Sequence, residues 1–377
     1  MAINFLSGID VDNGVLYTDT ANNRVGVGTT SPIVGFHCDP KARFRNEIQI
    51  AQKSNNAILG EGSNYDNLVG NANTAVGRNV MAAATTANNN SILGYNAFNA
   101  ALSGVRNVAI GSGAIGLTTA IGAGNVAIGY QALQNGTGGY NIVIGEGAIS
   151  NSTGGSSNVS IGRNTLVNNT SSNNVAVGER ALQNNTSGAF NTALGAQSLN
   201  AVTGGIGRQN VGLGYQAGNN ITTGQNNIVI GFQAQASSAT ANNEITLGNS
   251  SISVLRCAVT TITSLSDERD KTDITNLEYG LDFINSLSPK QFTWNQRPEY
   301  AIEIDDDGNE TQVEIQNANK GKKDFGFIAQ DVQSVDNDIL RLVYAENPEK
   351  LEMSYGKLVP ILVQAIKELT NRIEALE

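Results

Sequence analysis

The chain has 377 residues, with 23 Lys and Arg against 33 Asp and Glu and a net charge of −10. That balance argues against nucleic acid and anionic membranes as main partners, because an acidic surface repels both. No stretch reaches the ~18 apolar residues of a membrane-crossing helix. The start, Met-Ala-Ile-Asn-Phe-Leu-Ser-Gly, has no basic segment ahead of an apolar run, so no secretory leader and no membrane insertion are expected, and synthesis is expected in the cytoplasm.

Residues 1–55 form a β-rich N-terminal region. Asp12-Asn13-Gly14 and Asn22-Asn23 are turn residues between short apolar runs, the pattern of hairpins. His37 is the only histidine and stands beside Cys38; both read as ordinary side chains rather than metal ligands. The second cysteine, Cys257, lies beyond the repeats, so two free thiols are expected. Lys41, Arg43, Arg45 and Lys53 make a small basic patch, read as a solvated face or a dock for an acidic assembly partner.

From Asn56 to Ser250 the chain repeats. A glycine recurs at 60, 77, 94, 111, 129, 145, 162, 178, 195, 214, 231 and 248, at spacings of 16 to 19 residues. Asn stands four before it in eleven copies, and Glu244 takes that place in the twelfth. The residue just before each glycine is a large aliphatic, from Leu59 to Leu247. Asn-Val-Ala-Ile-Gly reads as a turn residue, a short strand and a stop. Residues one and three before the glycine share one side of an extended chain, and that aliphatic side is expected to line the inside of a coil. A second short strand around Ala132-Leu133, Ala181-Leu182 or Ser198-Leu199 completes a rung, which makes a β-solenoid of about twelve 17-residue rungs. Eleven steps of ~4.8 Å span roughly 50–55 Å. Stacked Asn side chains are expected to bond from rung to rung.

Two other readings of the shaft fail. Gly111-Ser112-Gly113-Ala114-Ile115-Gly116 spells the dinucleotide pattern, but it falls in the repeat register with no helix after it. Glycan hydrolysis needs facing carboxylates. The repeats hold only Glu61, Asp66, Glu146, Glu179 and Glu244, and Arg163 stands between Glu146 and Glu179, so that column reads as an ion ladder. No cofactor and no metal ligand set is expected.

Beyond the repeats, residues 251–266 are a β-branched linker. Residues 267–377 hold 23 of the 33 acidic residues and read as a compact α+β unit. Leu277, Leu281, Ile284 and Leu287 predict a helix over 275–287. Gln291-Phe292-Thr293-Trp294 predicts a strand, and 325–332 a strand or turn entering a helix. Asp305-Asp306-Asp307-Gly308-Asn309 lacks the ligand spacing of a calcium loop and reads as an acidic loop. In the last helix, Lys357 to Glu377, the residues Val359, Leu362, Ile366, Leu369, Ile373 and Leu376 are spaced 3, 4, 3, 4, 3. That is either a face packed on its own core or a heptad seam between chains.

Five blocks carry a resemblance: Ser266-Asp267-Glu268-Arg269-Asp270-Lys271-Thr272-Asp273-Ile274, Phe292-Thr293-Trp294, Gly326-Phe327-Ile328-Ala329-Gln330-Asp331-Val332, Tyr355-Gly356-Lys357-Leu358 and Ala365-Ile366-Lys367-Glu368-Leu369. In this order they resemble the endosialidase-type intramolecular chaperone domain found at the C-terminus of phage tail fibres and tailspikes. The resemblance implies a homotrimer joined along the heptad seam, with Ser266 as nucleophile, Lys271 as general base and Ser266–Asp267 as the bond the domain cuts in itself. Without it, Ser-Asp reads as the cap of a turn. Many members carry a histidine where Lys322-Lys323-Asp324-Phe325 stands here. The shaft repeat is similar to the head repeats of trimeric autotransporter adhesins, which implies a left-handed β-roll. The expected function is a structural tail fibre of a phage or related contractile particle. Its N-terminal region would attach to a tail or baseplate protein, and it would contact a glycan or protein receptor on the host. A cell-surface adhesin and a glycan-cleaving spike are the alternatives.

Overall fold

The computed structural model describes residues 17–19, 21, 24–27, 36–38, 55–64, 67–203, 207–258, 264, 266–304, 310–336 and 338–377. The chain divides into two compact units, Met1–Gln52 and Lys53–Glu377. In the first, β1 (Tyr17–Asp19) pairs antiparallel with β2 (Arg24–Val27), as the intervening Asn22-Asn23 predicts, and β3 (Phe36–Cys38) lies parallel to β2. The Asp12-Asn13-Gly14 turn and the basic residues Lys41, Arg43, Arg45 and Lys53 lie outside the described residues.

In the second unit, twelve three-residue strands, β4 (Ala57–Leu59) through β15 (Ile245–Leu247), form one parallel sheet in chain order. Equivalent residues pair from rung to rung, as Val126-Ala127-Ile128 pairs with Ile142-Val143-Ile144. This is the predicted parallel solenoid, with one strand per rung rather than two. The expected second strand is a chain of corners. In the rung after Gly129, Gln131 (φ 56°), Leu133 (φ 51°) and Tyr140 (φ 59°) are all left-handed. Each such non-glycine residue costs roughly 1–2 kcal/mol, so a rung holds this shape only against its neighbours.

The same stacking explains the repeat glycine. Gly145 sits at φ 136°, and a Cβ there would lie 2.4 Å from the carbonyl oxygen of Gly162 on the next rung. Only glycine fits both the dihedral and the approach.

The strand faces are the reverse of the expectation. The middle residue of each strand points into the coil: Ala75, Ala109, Ala127, Val143, Ala176, Ala193 and Val229 are buried. The flanking aliphatics point outward. Leu93 and Leu194 are 50% exposed, and Ile110, Ile144, Ile230 and Leu247 are exposed too. The period of two was legible, but not which phase faces inward. The interior is narrow, because it is already filled by the corner residues Ala132, Leu133, Ala148, Ile149, Ala181, Leu182 and Leu199. Mostly small residues fit opposite them. Where a polar residue enters this column it meets another: the Ser160 and Thr165 hydroxyls are 2.5 Å apart, and the Ser198 hydroxyl donates to the Gly212 carbonyl at 2.9 Å.

Asn56, Asn73, Asn90, Asn107, Asn125, Asn141, Asn158, Asn174, Asn191, Asn210 and Asn227 form the predicted ladder, and all are buried. Each Oδ1 accepts the backbone N–H of the next rung's residue at 2.8–3.1 Å. Most Nδ2 groups donate to a carbonyl at the neighbouring corner, as Asn158 does to Ser171 at 3.0 Å. Asn107 Nδ2 is buried without a partner. Its rung is one residue longer than the usual 17, since the glycines on either side are 111 and 129.

The C-terminal part holds the expected helices in shorter form, the last ending at Glu374 rather than Glu377, and adds strands that the sequence pattern did not predict. Helix α1 covers only Leu281–Ser286, because Gly280 before it is non-helical, at φ −141° and ψ −125°. β16 (Lys290–Thr293) is followed by the hairpin of β17 (Glu299–Ile304) and β18 (Glu310–Ile315), and β19 (Lys323–Gly326) returns to pair with β16. Helix α2 (Ala329–Asp336), β20 (Val343–Tyr344), β21 (Glu352–Met353) and helix α3 (Leu358–Glu374) complete it. The core gathers Val332, Leu342, Val343, Leu358 and Ile361, with Leu277, Phe283, Ile284, Leu287 and Phe327 against them. The acidic loop 305–309 lies outside the described residues.

Candidate functional site

Asp267 builds the site. Its carboxylate accepts the Arg269 backbone N–H at 2.9 Å and caps a single 3-10 turn, Glu268–Asp270. The Arg269 guanidinium grips the same carboxylate twice, at 2.9 and 2.7 Å. Held by Arg269, the Asp267 carboxyl stays below the usual carboxylate range. The turn delivers Lys271 back onto Ser266: its Nζ lies 2.7 Å from Ser266 Oγ and 3.0 Å from the Ser266 carbonyl oxygen. The cap and the Ser–Lys pair, alternatives in the sequence, therefore coexist. Asp267 caps the turn and leaves the Ser266 hydroxyl free for Lys271. The Asp267–Arg269 fork was not foreseen; its signal was the alternation of charges in Ser-Asp-Glu-Arg-Asp-Lys. Ser266 through Lys271 are all exposed in the single chain.

Three of the other blocks, those of Phe292, Gly326 and Tyr355, meet around Tyr355. Its hydroxyl accepts the Phe327 backbone N–H at 3.2 Å, and a Cβ on Gly326 would lie 2.5 Å from that oxygen. The Phe327 and Tyr355 rings are 6.1 Å apart. Phe292 and Trp294 meet edge to face, and the Trp294 Nε1–H donates to Asp324 at 3.1 Å. Asp324 thus has a structural task in the run that replaces the resemblance's histidine.

The heptad residues stand apart from this core. Helix α3 buries Leu358, Ile361 and Ala365 against its own unit. Val359, Leu362, Ile366, Leu369 and Ile373 form the stripe of α3 beside this face and are exposed, with Val359 at 58% and Ile366 at 63%, and Leu376, just past the helix end, is exposed as well. The face packed on the chain's own core is therefore not the heptad seam.

In the Glu146–Arg163–Glu179 column, Arg163 pairs with Glu179 at 2.5 Å. Cys257 is a free, exposed thiol. Among the described residues no cluster of His, Cys, Asp and Glu is placed to hold a metal, and no helix is long and apolar enough to cross a membrane.

A parallel solenoid of stacked rungs is thus followed by a Ser–Lys turn and a small α+β unit. Residues 266–341 match the family described as chaperone of endosialidase. The matched segment begins at Ser266 and takes in Lys271 and the Gly326–Val332 block, and it ends before α3. No curated protein and no solved structure matches the chain.

Proposed function

We propose that this protein is a homotrimeric fibre of a phage tail or related contractile particle, whose C-terminal unit drives trimerisation and then cuts the chain beside Ser266. The first unit would join a tail or baseplate protein, and the rod would reach toward a host surface receptor. The observation that carries the trimer is the pair of uncovered apolar surfaces. One is the aliphatic column along the sheet, and the other is the heptad seam of α3. Apolar patches beyond a few hundred Å² mark interaction sites. A stripe that runs the whole length of a rod is matched by another rod of the same repeat.

The chemistry rests on the Ser266–Lys271 geometry. A neutral lysine amine at this position takes the hydroxyl proton with its lone pair while one of its N–H groups donates to the Ser266 carbonyl. In the single chain the pair is exposed, so a neighbouring chain that covers it would complete the site only after assembly. Attack of the hydroxyl on its own carbonyl would close a four-membered ring. The cut at Ser266–Asp267 therefore runs through a water whose proton passes by way of the hydroxyl to Lys271. The water oxygen adds to the Ser266 carbonyl, the C–N bond breaks, the Asp267 nitrogen takes a proton, and Ser266 is left as a carboxylate.

Mass spectrometry of the folded trimer tests this. Fragments of 266 and 111 residues are expected, the second beginning at Asp267. Ser266→Ala and Lys271→Ala should each stay at full length and still form trimers. A single intact species from the wild-type trimer would sink the cleavage. A second fragment beginning at Ser266 would instead mean direct attack on the preceding carbonyl through a five-membered ring.

A further inference from the structure

The Asn ladder ends at Glu244, and that end is where the C-terminal unit docks. Glu244 keeps the ladder bond, since its backbone N–H donates to Asn227 Oδ1 at 3.0 Å. Its carboxylate then closes the ladder. It accepts from the Ser237 backbone N–H at 2.9 Å, the Ser237 hydroxyl at 2.6 Å and the Thr246 hydroxyl at 2.8 Å. An asparagine could not accept all three at one carboxylate-like pair of oxygens, because one of its two terminal atoms is a donor. With Ser237 fixed in this way, its carbonyl accepts from Asn347 Nδ2 at 2.7 Å, across 110 residues. Two more bonds span the junction: the Ala318 N–H donates to the Ser250 carbonyl at 3.1 Å, and the Ser251 hydroxyl donates to the Gln316 carbonyl. Between them a cleft of about 360 Å³ runs from Phe232, Asn249 and Ile252 to Val313–Gln316.

All the C-terminal partners in this junction come after position 267, and all the rod partners come before 253. The stretch 252–258 that connects them is exposed and has no regular secondary structure. Among the described residues, the last strand, β15, has no strand beyond it in the sheet. Solenoids need their terminal rungs capped, because an open strand edge is a template for aggregation.

We propose that the C-terminal unit is the end cap of the rod, latched by Glu244, Ser237 and Asn347, and that it stays in place when the chain is cut between Ser266 and Asp267. The retention half rests on the cleavage reading above; the cap does not.

The test separates the two. In a Ser266→Ala chain, which removes self-cleavage from the question, a site for a sequence-specific protease is inserted between Cys257 and Ala258 and cut after the protein has folded. The C-terminal piece should co-elute with the rod on gel filtration at neutral pH. With Asn347→Ala, and more so with Glu244→Ala added, its dissociation should be at least tenfold faster. Asn347→Ala alone decides the matter if Glu244→Ala fails to fold. A piece that separates at once from the unaltered rod overturns the cap, and a piece that stays equally well in both variants overturns the latch.

Discussion

One carboxylate holds the C-terminal unit together at a helix end. Helix α1 starts after Gly280, which offers no side-chain cap, and its Leu281 N–H donates to Glu368 Oε2 of α3 at 2.7 Å. Gln364 Nε2 donates to Glu368 Oε1 at 2.9 Å. A charged acceptor at a helix N-terminus is favourable for both its hydrogen bond and the helix dipole. Gly280 leaves room for it, since a Cβ there would fall 2.1 Å from Glu368 Oε1. The Leu281 N–H, then Gln364, hold the Glu368 carboxyl below the usual carboxylate range. A lowered pKa means stability that is present above about pH 4.5 and lost as pH falls through the lower, folded value. Thermal unfolding of the C-terminal unit should therefore shift downward between pH 5 and pH 3. Glu368→Gln should flatten that part of the profile, and Gly280→Ala should lower the melting temperature by displacing the carboxylate. An unchanged acid profile in Glu368→Gln would remove Glu368 from the account.

At the scale of the element, the rung shows what a sequence does and does not reveal. The glycine, asparagine and aliphatic columns made the parallel solenoid, its period and the Asn ladder legible before any coordinates. The strand phase was not legible, because alternation names two faces and says nothing about which has room. That is decided by corner residues such as Leu133 and Leu182, which fill the interior from the opposite side. The corners themselves were read as strand because Ala-Leu has no turn residue to betray φ values near 50°. In the C-terminal unit the five blocks led to Ser266 and Lys271, while the Glu368 cap and the Asn347 latch joined residues too distant in sequence to suggest each other. The ladder itself makes a graded prediction. Asn158→Ala removes the acceptor of the Asn174 N–H at 2.9 Å and the donors to Asn141 Oδ1 at 3.1 Å and Ser171 O at 3.0 Å. Leaving buried groups unpaired costs about 1–3 kcal/mol. Asn107→Ala loses an acceptor but no bonded donor, because Asn107 Nδ2 already has no partner. Equilibrium unfolding should find Asn158→Ala the more damaging of the two, and equal losses would mean that the donor bonds contribute nothing.

For the whole molecule, the inner and outer residues of a single strand should fail in different ways. Val143 is fully buried, whereas Ile142 and Ile144 are exposed in the single chain at 43% and 37%. Val143→Asp places an unpaired charge inside the coil and should unfold its rung at any concentration, since burying charge without a partner is costly. Ile142→Glu with Ile144→Glu places charge only on the outer column. A rod that stands alone would tolerate it. A rod whose outer column meets its copies would not, because two charges per chain converge where the three chains pack. Leu362→Asp with Ile366→Asp does the same to the heptad seam, 63% exposed at Ile366, without touching Leu358, Ile361 or Ala365 on the buried face of α3. If the C-terminal unit gathers the chains first, the two outer variants separate the stages. The seam variant should give aggregated rod with no trimer. The column variant should keep a trimeric C-terminal unit while its rods splay, which sedimentation would record as a trimer of raised frictional ratio. A compact trimer carrying both column charges would show that the aliphatic stripe faces water, and the case for three rods side by side would rest on the α3 seam alone.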